Sequence, residues 1–334
     1  MTIKNRQVLL ASRPKGAPAE SDFRLVETEL RDAEEGEILV KNRFLSLDPY
    51  MRGRISESKS YAAGVEIGAV MIGSTVGEVI QSRHPGFAVG DVVVAGLGWQ
   101  EHGLSTGQGV MKVDASRVPL SAYLGVVGMP GITAWYGLLE IGKPKAGETV
   151  VVGAASGPVG SVVGQLAKLA GCRTVGVAGG KAKCDFVTGE LGFDACVDHR
   201  DPALKDRLRE ATPDGIDVYF ENVGGPLLDL VLARLNTFAR IPLCGLVSQY
   251  NATEPYGVKN FGALLTNRVS LRGFIISDHM DRWPQALAEL GAHVVEGRIK
   301  YRESIAKGLE SAPAAFIGML EGKNFGKQLV ELAP

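Results

Sequence analysis

The chain has 334 residues, 45% of them hydrophobic and 22% charged, and a formal net charge of −1. The length exceeds a single typical core and predicts two domains, and the composition is that of a soluble globular protein. The balanced charge leaves no basic footprint for nucleic acid. No apolar run reaches the roughly 18 residues of a membrane span, and MTIKNRQVLL lacks the apolar core of a signal peptide, so a cytoplasmic protein with neither nucleic-acid nor membrane partners is expected.

Residues 3–10 and 23–30 read as short strands around a loop carrying Pro14, Gly16 and Pro18, and 37–44 (EILVKNRF) alternates as a half-buried antiparallel strand does. Segment 45–61, LSLDPYMRGRISESKSY, is polar and reads as a loop of the kind that meets substrates, with Tyr50, Arg52, Arg54 and Tyr61 in it. Strand character returns at 67–80, 91–95 and 110–113, so the chain up to about residue 120 predicts a small, partly open β-barrel. Helical spacing over 128–142 opens the second domain.

The next stretch organises the rest. Thr149 to Val152 forms an apolar β-branched run, the mark of a buried parallel strand. Ala155, Gly157 and Gly160 then follow the spacing of a dinucleotide fingerprint, with Ser156 between and alanine in the first glycine's place. Pro158 suits the first turn of a helix, and Val159, Val162, Val163 and Leu166 give that helix an apolar face. Its N-terminal N–H groups suit a pyrophosphate. A second strand follows at 173–178. An NAD-binding chain usually places a carboxylate at its end; here stand Gly179, Gly180, Lys181, Ala182 and Lys183, which favours NADP.

Strands at 194–198, 216–221, 238–244 and 269–276 alternate with helices at 202–211, 226–235 and 283–296, the pattern of a doubly wound parallel sheet. Its ligand-facing carboxyl ends are 153–157, 178–183, 221–225 and 245–251. The tail predicts a short helix and a final strand, 328–332, that rejoins the first domain. The domains are thus 1–123 with 301–334, and 124–300. Cys172, Cys184, Cys196 and Cys244 read as small hydrophobes. His84 and His102 have no cysteine near them to complete a catalytic zinc site, so no metal is expected; His279 and His293 read as surface residues.

Six segments in order, LSLDPYMRGR, GMPGITAWYGLLEIG, AASGPVGSVVGQLAKLAGC, ENVGG, CGLVSQYN and GKNFGKQLV, resemble the zinc-independent medium-chain dehydrogenase/reductases. The resemblance is to the leukotriene hydroxydehydrogenase, prostaglandin reductase and 2-alkenal reductase branch, and within it most of all to the bacterial NADPH-dependent curcumin reductases. It implies a GroES-like catalytic domain, a Rossmann domain, usually a homodimer, and NADPH-dependent reduction of the C=C bond of α,β-unsaturated ketones and aldehydes. By matching motifs, Lys183 holds the 2′-phosphate, and His199 stands where relatives carry a tyrosine near it. Asn222, Gly245, Ser248 and Tyr250 line the nicotinamide side and Asn324 reaches the cofactor from the tail. Gly179, Met129 and Thr133 join the expected cofactor set. Where many relatives have a tyrosine credited with proton transfer, this chain has Thr266.

Conjugate reduction asks the protein to align the enone and to place a donor at the carbonyl oxygen, where negative charge develops. Tyr50 is the first candidate donor, Tyr250 shapes the nicotinamide pocket, and Tyr61 is a possible lid residue. Met129, Trp135 and Phe261 are either pocket walls or core. Alternatives on the same scaffold are an NADPH quinone reductase and a non-catalytic NADPH-binding protein.

Overall fold

The computed structural model describes residues 3–57 and 60–332; positions 58 and 59 of the predicted polar loop lie outside them. Ile3–Leu10 (β1) pairs antiparallel with Phe23–Leu30 (β2), followed by Ile38–Ser46 (β3) and a five-residue helix, Tyr50–Arg54 (α1). Thr75–Ser82 (β4), Val92–Ala95 (β5), His102–Ser105 (β6) and Met111–Lys112 (β7) complete the first run of strands. Met129–Trp135 (α2) continues into π-helical turns over Tyr136–Gly142. Then come Thr149–Gly153 (β8), Gly160–Leu169 (α3), Arg173–Ala178 (β9), Lys181–Gly189 (α4), Ala195–Asp198 (β10), Leu204–Ala211 (α5), Ile216–Phe220 (β11) and Gly225–Leu232 (α6). Leu235–Leu243 (β12), Gly262–Thr266 (α7), Ser270–Gly273 (β13), Trp283–Val295 (α8), Glu303–Lys307 (β14), Ala312–Leu320 (α9) and Lys327–Glu331 (β15) end the chain. Among the described residues no helix is long and apolar enough to cross a membrane.

Contacts divide the chain into two units, Met1–Gly125 with Glu303–Pro334, and Val126–Arg302. In the first, β14-β15-β3-β4-β5-β7 form one sheet, with β6 paired to β3, beside the β1–β2 hairpin. Its core gathers Leu45, Leu47, Met51, Ile55, Trp99 and Phe316, with the Trp99 indole stacked on Phe23 at 5.5 Å and edge-on to Phe316 at 5.7 Å. In the second, β10-β9-β8-β11-β12-β13 run parallel, and the order reverses between β8 and β11. This is the doubly wound arrangement that the alternation of strands and helices dictates, with the ligand crevice expected outside the reversal point. The protein is therefore a mixed α/β chain: a parallel nucleotide-type sheet in one unit and an antiparallel-dominated sheet in the other.

Three local expectations need correction. Residues 50–54 are helical because Met51 and Ile55, one turn apart, both bury completely in the core. Segment 67–74 is not strand: Gly68 takes φ +86°, and only Val70 bridges to Leu9 before β4 begins. Helix α3 starts at Gly160, so Pro158 lies in the turn ahead of it.

Candidate functional site

The second unit builds its site on the ends of β8, β9, β11 and β12. At the end of β8, Ala154 takes φ +52° and its carbonyl accepts the Gly157 N–H at 2.9 Å, while the Ala155 N–H reaches the Val177 carbonyl at 3.0 Å. The chain turns here within hydrogen-bond distance of β9. Ala155 and Ser156 are buried and Gly157, Pro158 and Val159 partly exposed. A Cβ at Gly160 would stand 2.4 Å from the Ala154 oxygen, so only glycine lets α3 start this close to the turn. At Gly157 the nearest atom would be 3.2 Å away and part of the same turn, which leaves its other side open to a ligand. These are the separate duties the fingerprint assigns its small residues.

At the β11 end, the buried Glu221 carboxylate accepts the N–H groups of Val223 (2.5 Å) and Gly224 (2.9 Å) and the Tyr219 hydroxyl (3.1 Å). Burial raises its pKa, and those donors oppose the rise. Gly224 and Gly225 follow at positive φ (71° and 61°), so the chain doubles back into α6. Asn222 donates its amide to the Gly153 carbonyl at 2.9 Å and so spans the reversal point of the sheet. The Val247 N–H bonds the Asn222 carbonyl at 3.0 Å, and the Ser248 N–H and hydroxyl both donate to the Val223 carbonyl, at 3.0 and 2.6 Å. The Tyr250 hydroxyl accepts the Leu246 N–H at 3.4 Å and lies 3.1 Å from where a Gly245 Cβ would stand. Asn222, Gly245, Ser248 and Tyr250 are therefore one hydrogen-bonded cluster at two adjacent strand ends. Ser248 and Tyr250 use their hydroxyls within the protein there.

The β9 end carries the charge. The Asp198 carboxylate accepts the Gly180 and Arg200 N–H groups, each at 2.9 Å, and these contacts hold its pKa down. A Cβ at Gly179 would lie 2.7 Å from His199 Nε2 and 3.3 Å from the Arg200 guanidinium, and one at Gly180 3.4 Å from that guanidinium. Partial burial, then the Arg200 cation, lowers the pKa of both Lys183 and His199. Two cations and an imidazole gathered here form a donor set suited to a phosphate dianion. Arg200 was not legible as part of it. Lys181, by contrast, is exposed and paired to Asp185 at 2.7 Å.

The remaining expected cofactor residues of this unit lie on α2, where the buried Thr133 hydroxyl donates to the Met129 carbonyl at 2.7 Å. Trp135 is core, its indole N–H donating to Glu289 at 2.6 Å, and Phe261 is exposed. His279 is not a free surface residue: it stacks on Tyr136 at 4.2 Å. Burial raises the pKa of the Cys184 and Cys196 thiols.

In the first unit, helical period brings Tyr50 and Arg54 to one face of α1; Met51 and Ile55 are buried in the core, and Tyr50 packs against its margin. Tyr50 is half-buried, and burial, reinforced by the Asp48 carboxylate, raises its hydroxyl pKa, with Arg54 opposing. The hydroxyl stays protonated throughout the neutral range. Arg52 does not face solvent; its guanidinium donates to the Gly16 carbonyl at 2.6 Å and ties α1 to the loop after β1. Tyr61 is largely exposed. Beneath α1 lies a buried ion pair, Lys327 Nζ to Asp48 Oδ1 at 2.5 Å, with a second bond from Nζ to the Leu47 carbonyl at 2.8 Å. Asn324, three residues earlier, donates its amide to the Gly326 carbonyl at 2.8 Å. His84 accepts the Gly86 N–H on Nδ1 at 2.9 Å, and His102 opens β6. Among the described residues no three His, Cys, Asp or Glu side chains gather to hold a metal.

A doubly wound parallel sheet with a nucleotide turn, joined in one chain to a mainly antiparallel β unit, defines a dehydrogenase/reductase. Residues 6–113 match the N-terminal domain of oxidoreductase, and residues 158–292 match the zinc-binding dehydrogenase family. The chain is 51% identical to the NADPH-dependent curcumin reductase of Escherichia coli, over 99% of this chain and 97% of that one. It is 42% identical to the NADP(+)-dependent 2-alkenal reductase of Nicotiana tabacum, over 98% and 97%. Among solved structures, CurA from Vibrio vulnificus in complex with NADPH superposes with a TM-score of 0.94 at 48% identity, covering 98% of this chain and 99% of that one. The chain belongs to the zinc-independent branch of the medium-chain dehydrogenase/reductases.

Proposed function

We propose that the protein is an NADPH-dependent enone and alkenal reductase, saturating the C=C bond of α,β-unsaturated ketones and aldehydes. The observation that carries the reading is the pair His199 and Arg200 at Gly179, with Lys183 in electrostatic reach of both, a cationic rim at the β9 end in a chain that shares half its residues with a curcumin reductase. The structural features fit NADPH. The open side of Gly157 and the start of α3 suit a pyrophosphate, the rim suits the 2′-phosphate, and the Asn222–Ser248–Tyr250 cluster lies at strand ends where a nicotinamide belongs.

NADPH supplies the hydride. The Ser156 and Val159 N–H groups would hold the pyrophosphate, Ala155, Gly157 and Pro158 would shape the turn against it, and Gly179, Lys183 and His199 would hold the adenosine phosphate. Met129, Thr133, Asn222, Gly245, Ser248 and Tyr250 shape the nicotinamide side, and Asn324 adds a contact from the tail. Tyr50 donates a hydrogen bond to the carbonyl oxygen as negative charge develops there, and its raised pKa keeps the proton available. Tyr61, exposed on the segment after α1, covers substrate.

The four cysteines are free thiols, which supports a reducing compartment, the cytoplasm. A homodimer is favoured by the sheet edge: all four residues of β13 are exposed, Leu271 among them, and Phe238, Phe261 and Leu265 add apolar surface on the same unit. We expect small hydrophobic enones as partners, and neither nucleic acid nor membrane.

The test is NADPH consumption, followed by its near-ultraviolet absorbance, against a linear alkenal, an aryl enone, a quinone and a saturated ketone, each repeated with NADH. Turnover of the first two with NADPH is expected. Turnover of the quinone alone would replace this reading with a quinone reductase, and NADPH binding without turnover would replace it with a non-catalytic binder.

A further inference from the structure

The cationic rim differs from an ordinary phosphate site in one respect: one of its members is an imidazole, not a permanent cation. His199 Nε2 points over Gly179, with the Arg200 guanidinium beside it and Lys183 within electrostatic reach from α4. The charged groups that face it are therefore Arg200 and Lys183, both cationic, and Asp198, whose carboxylate is engaged by the Gly180 and Arg200 N–H groups.

We infer that His199 makes cofactor selection pH-dependent: binding of the 2′-phosphate of NADPH draws a proton onto the imidazole, whereas binding of NADH does not. The inference rests on the reading that NADPH places its 2′-phosphate at this rim.

The sign follows from the geometry. In the free protein, partial burial and two neighbouring cations disfavour the imidazolium, so His199 titrates below the usual histidine range. A phosphate dianion at Gly179 reverses that balance and favours the protonated form. A group whose pKa is higher in the complex than in the free protein strengthens binding fully below its free-state pKa. That contribution fades as pH rises through the pKa in the complex. The permanent charge of Arg200, with the Lys183 ammonium beside it, keeps selection for NADPH in place when His199 is neutral, and His199 adds a part that is present in acid and lost in base. The phosphate's own second ionisation, near pH 6, acts in the opposite direction, so the histidine is read cleanly only above about pH 7.

The experiment is calorimetric titration of the full-length protein with NADPH and with NADH, at pH 7 in two buffers of different ionisation enthalpy, and again at pH 8.5. In the wild type, NADPH binding should take up a fraction of a proton at pH 7, and its affinity should fall about twofold by pH 8.5. NADH should show neither effect, and His199→Gln should abolish both for NADPH. His199 lies at the surface with only its ring partly covered, outside the core of the unit, so its replacement should leave the fold intact; nuclear magnetic resonance titration of the wild-type imidazole, with and without NADPH, gives a second readout that needs no variant. Lys183→Ala distinguishes the two levels of the argument. If Lys183→Ala selectively weakens NADPH but wild-type binding takes up no proton, the inference about His199 is overturned and the site assignment stands. If Lys183→Ala weakens NADPH and NADH equally, both fall.

Discussion

Lys183, Arg200 and Tyr50 carry most of the chemistry assigned to single side chains. A charge-assisted contact to phosphate contributes about 1.5–3 kcal/mol, so Lys183→Ala should raise the dissociation constant for NADPH roughly tenfold to a hundredfold and leave NADH nearly unchanged. Arg200→Ala should act in the same direction; loss of fold, seen by circular dichroism, would explain an equal effect on both cofactors. Tyr50→Phe should lower kcat for an enone about tenfold to a hundredfold while NADPH binding holds, because one donor at a developing oxyanion is lost. Unchanged turnover would reassign Tyr50 to packing on α1. Because its pKa is raised, the wild-type rate should show no loss from Tyr50 ionisation as pH climbs through the neutral range.

At the scale of elements, the buried Asp48–Lys327 pair joins the segment before α1 to the first residue of β15. Removing one partner of a buried pair leaves an uncompensated charge, which costs about 3–5 kcal/mol. Lys327→Met should therefore destabilise the first unit by about that amount in urea unfolding, and Asp48→Leu added to Lys327→Met should recover much of it. Additive losses in the double variant would contradict the coupling. This pair shows where sequence reading ends. The two residues lie 279 positions apart, and nothing local marks a lysine in a final strand as buried. The fingerprint turn, by contrast, was legible apart from the exact start of α3, because strand, small residues and helix are contiguous and Gly160 has a steric reason. Arg200 escaped notice for the opposite reason: an arginine two residues past a strand looks like solvated surface until β10 lays it against Gly179. β14 was missed because its residues, ESIAK, are all partly or fully exposed and offer no apolar alternation, and α7 because five residues carry little helical period.

For the whole molecule, the alternation of strands and helices foretold the parallel sheet, since each βαβ unit repeats the same local signal. Assembly is less legible, and the exposed β13 edge supplies the test. Leu271→Asp should shift the protein from dimer to monomer by light scattering, while a monomeric wild type would remove the dimer from the account. Metal removal gives a second check at this scale: with two histidines and no cysteine in the first unit, exhaustive chelation should leave the rate unchanged, and a chelator-sensitive rate would contradict that.

The central claim is that hydride goes to carbon in a conjugated double bond rather than to the carbonyl. The most direct measurement uses NADPH doubly deuterated at the nicotinamide C4, an aryl enone as substrate, and mass spectrometry with nuclear magnetic resonance of the product. The account predicts a saturated ketone with one deuterium on the β-carbon. Deuterium on the carbonyl carbon, with the double bond retained in an allylic alcohol, would contradict it.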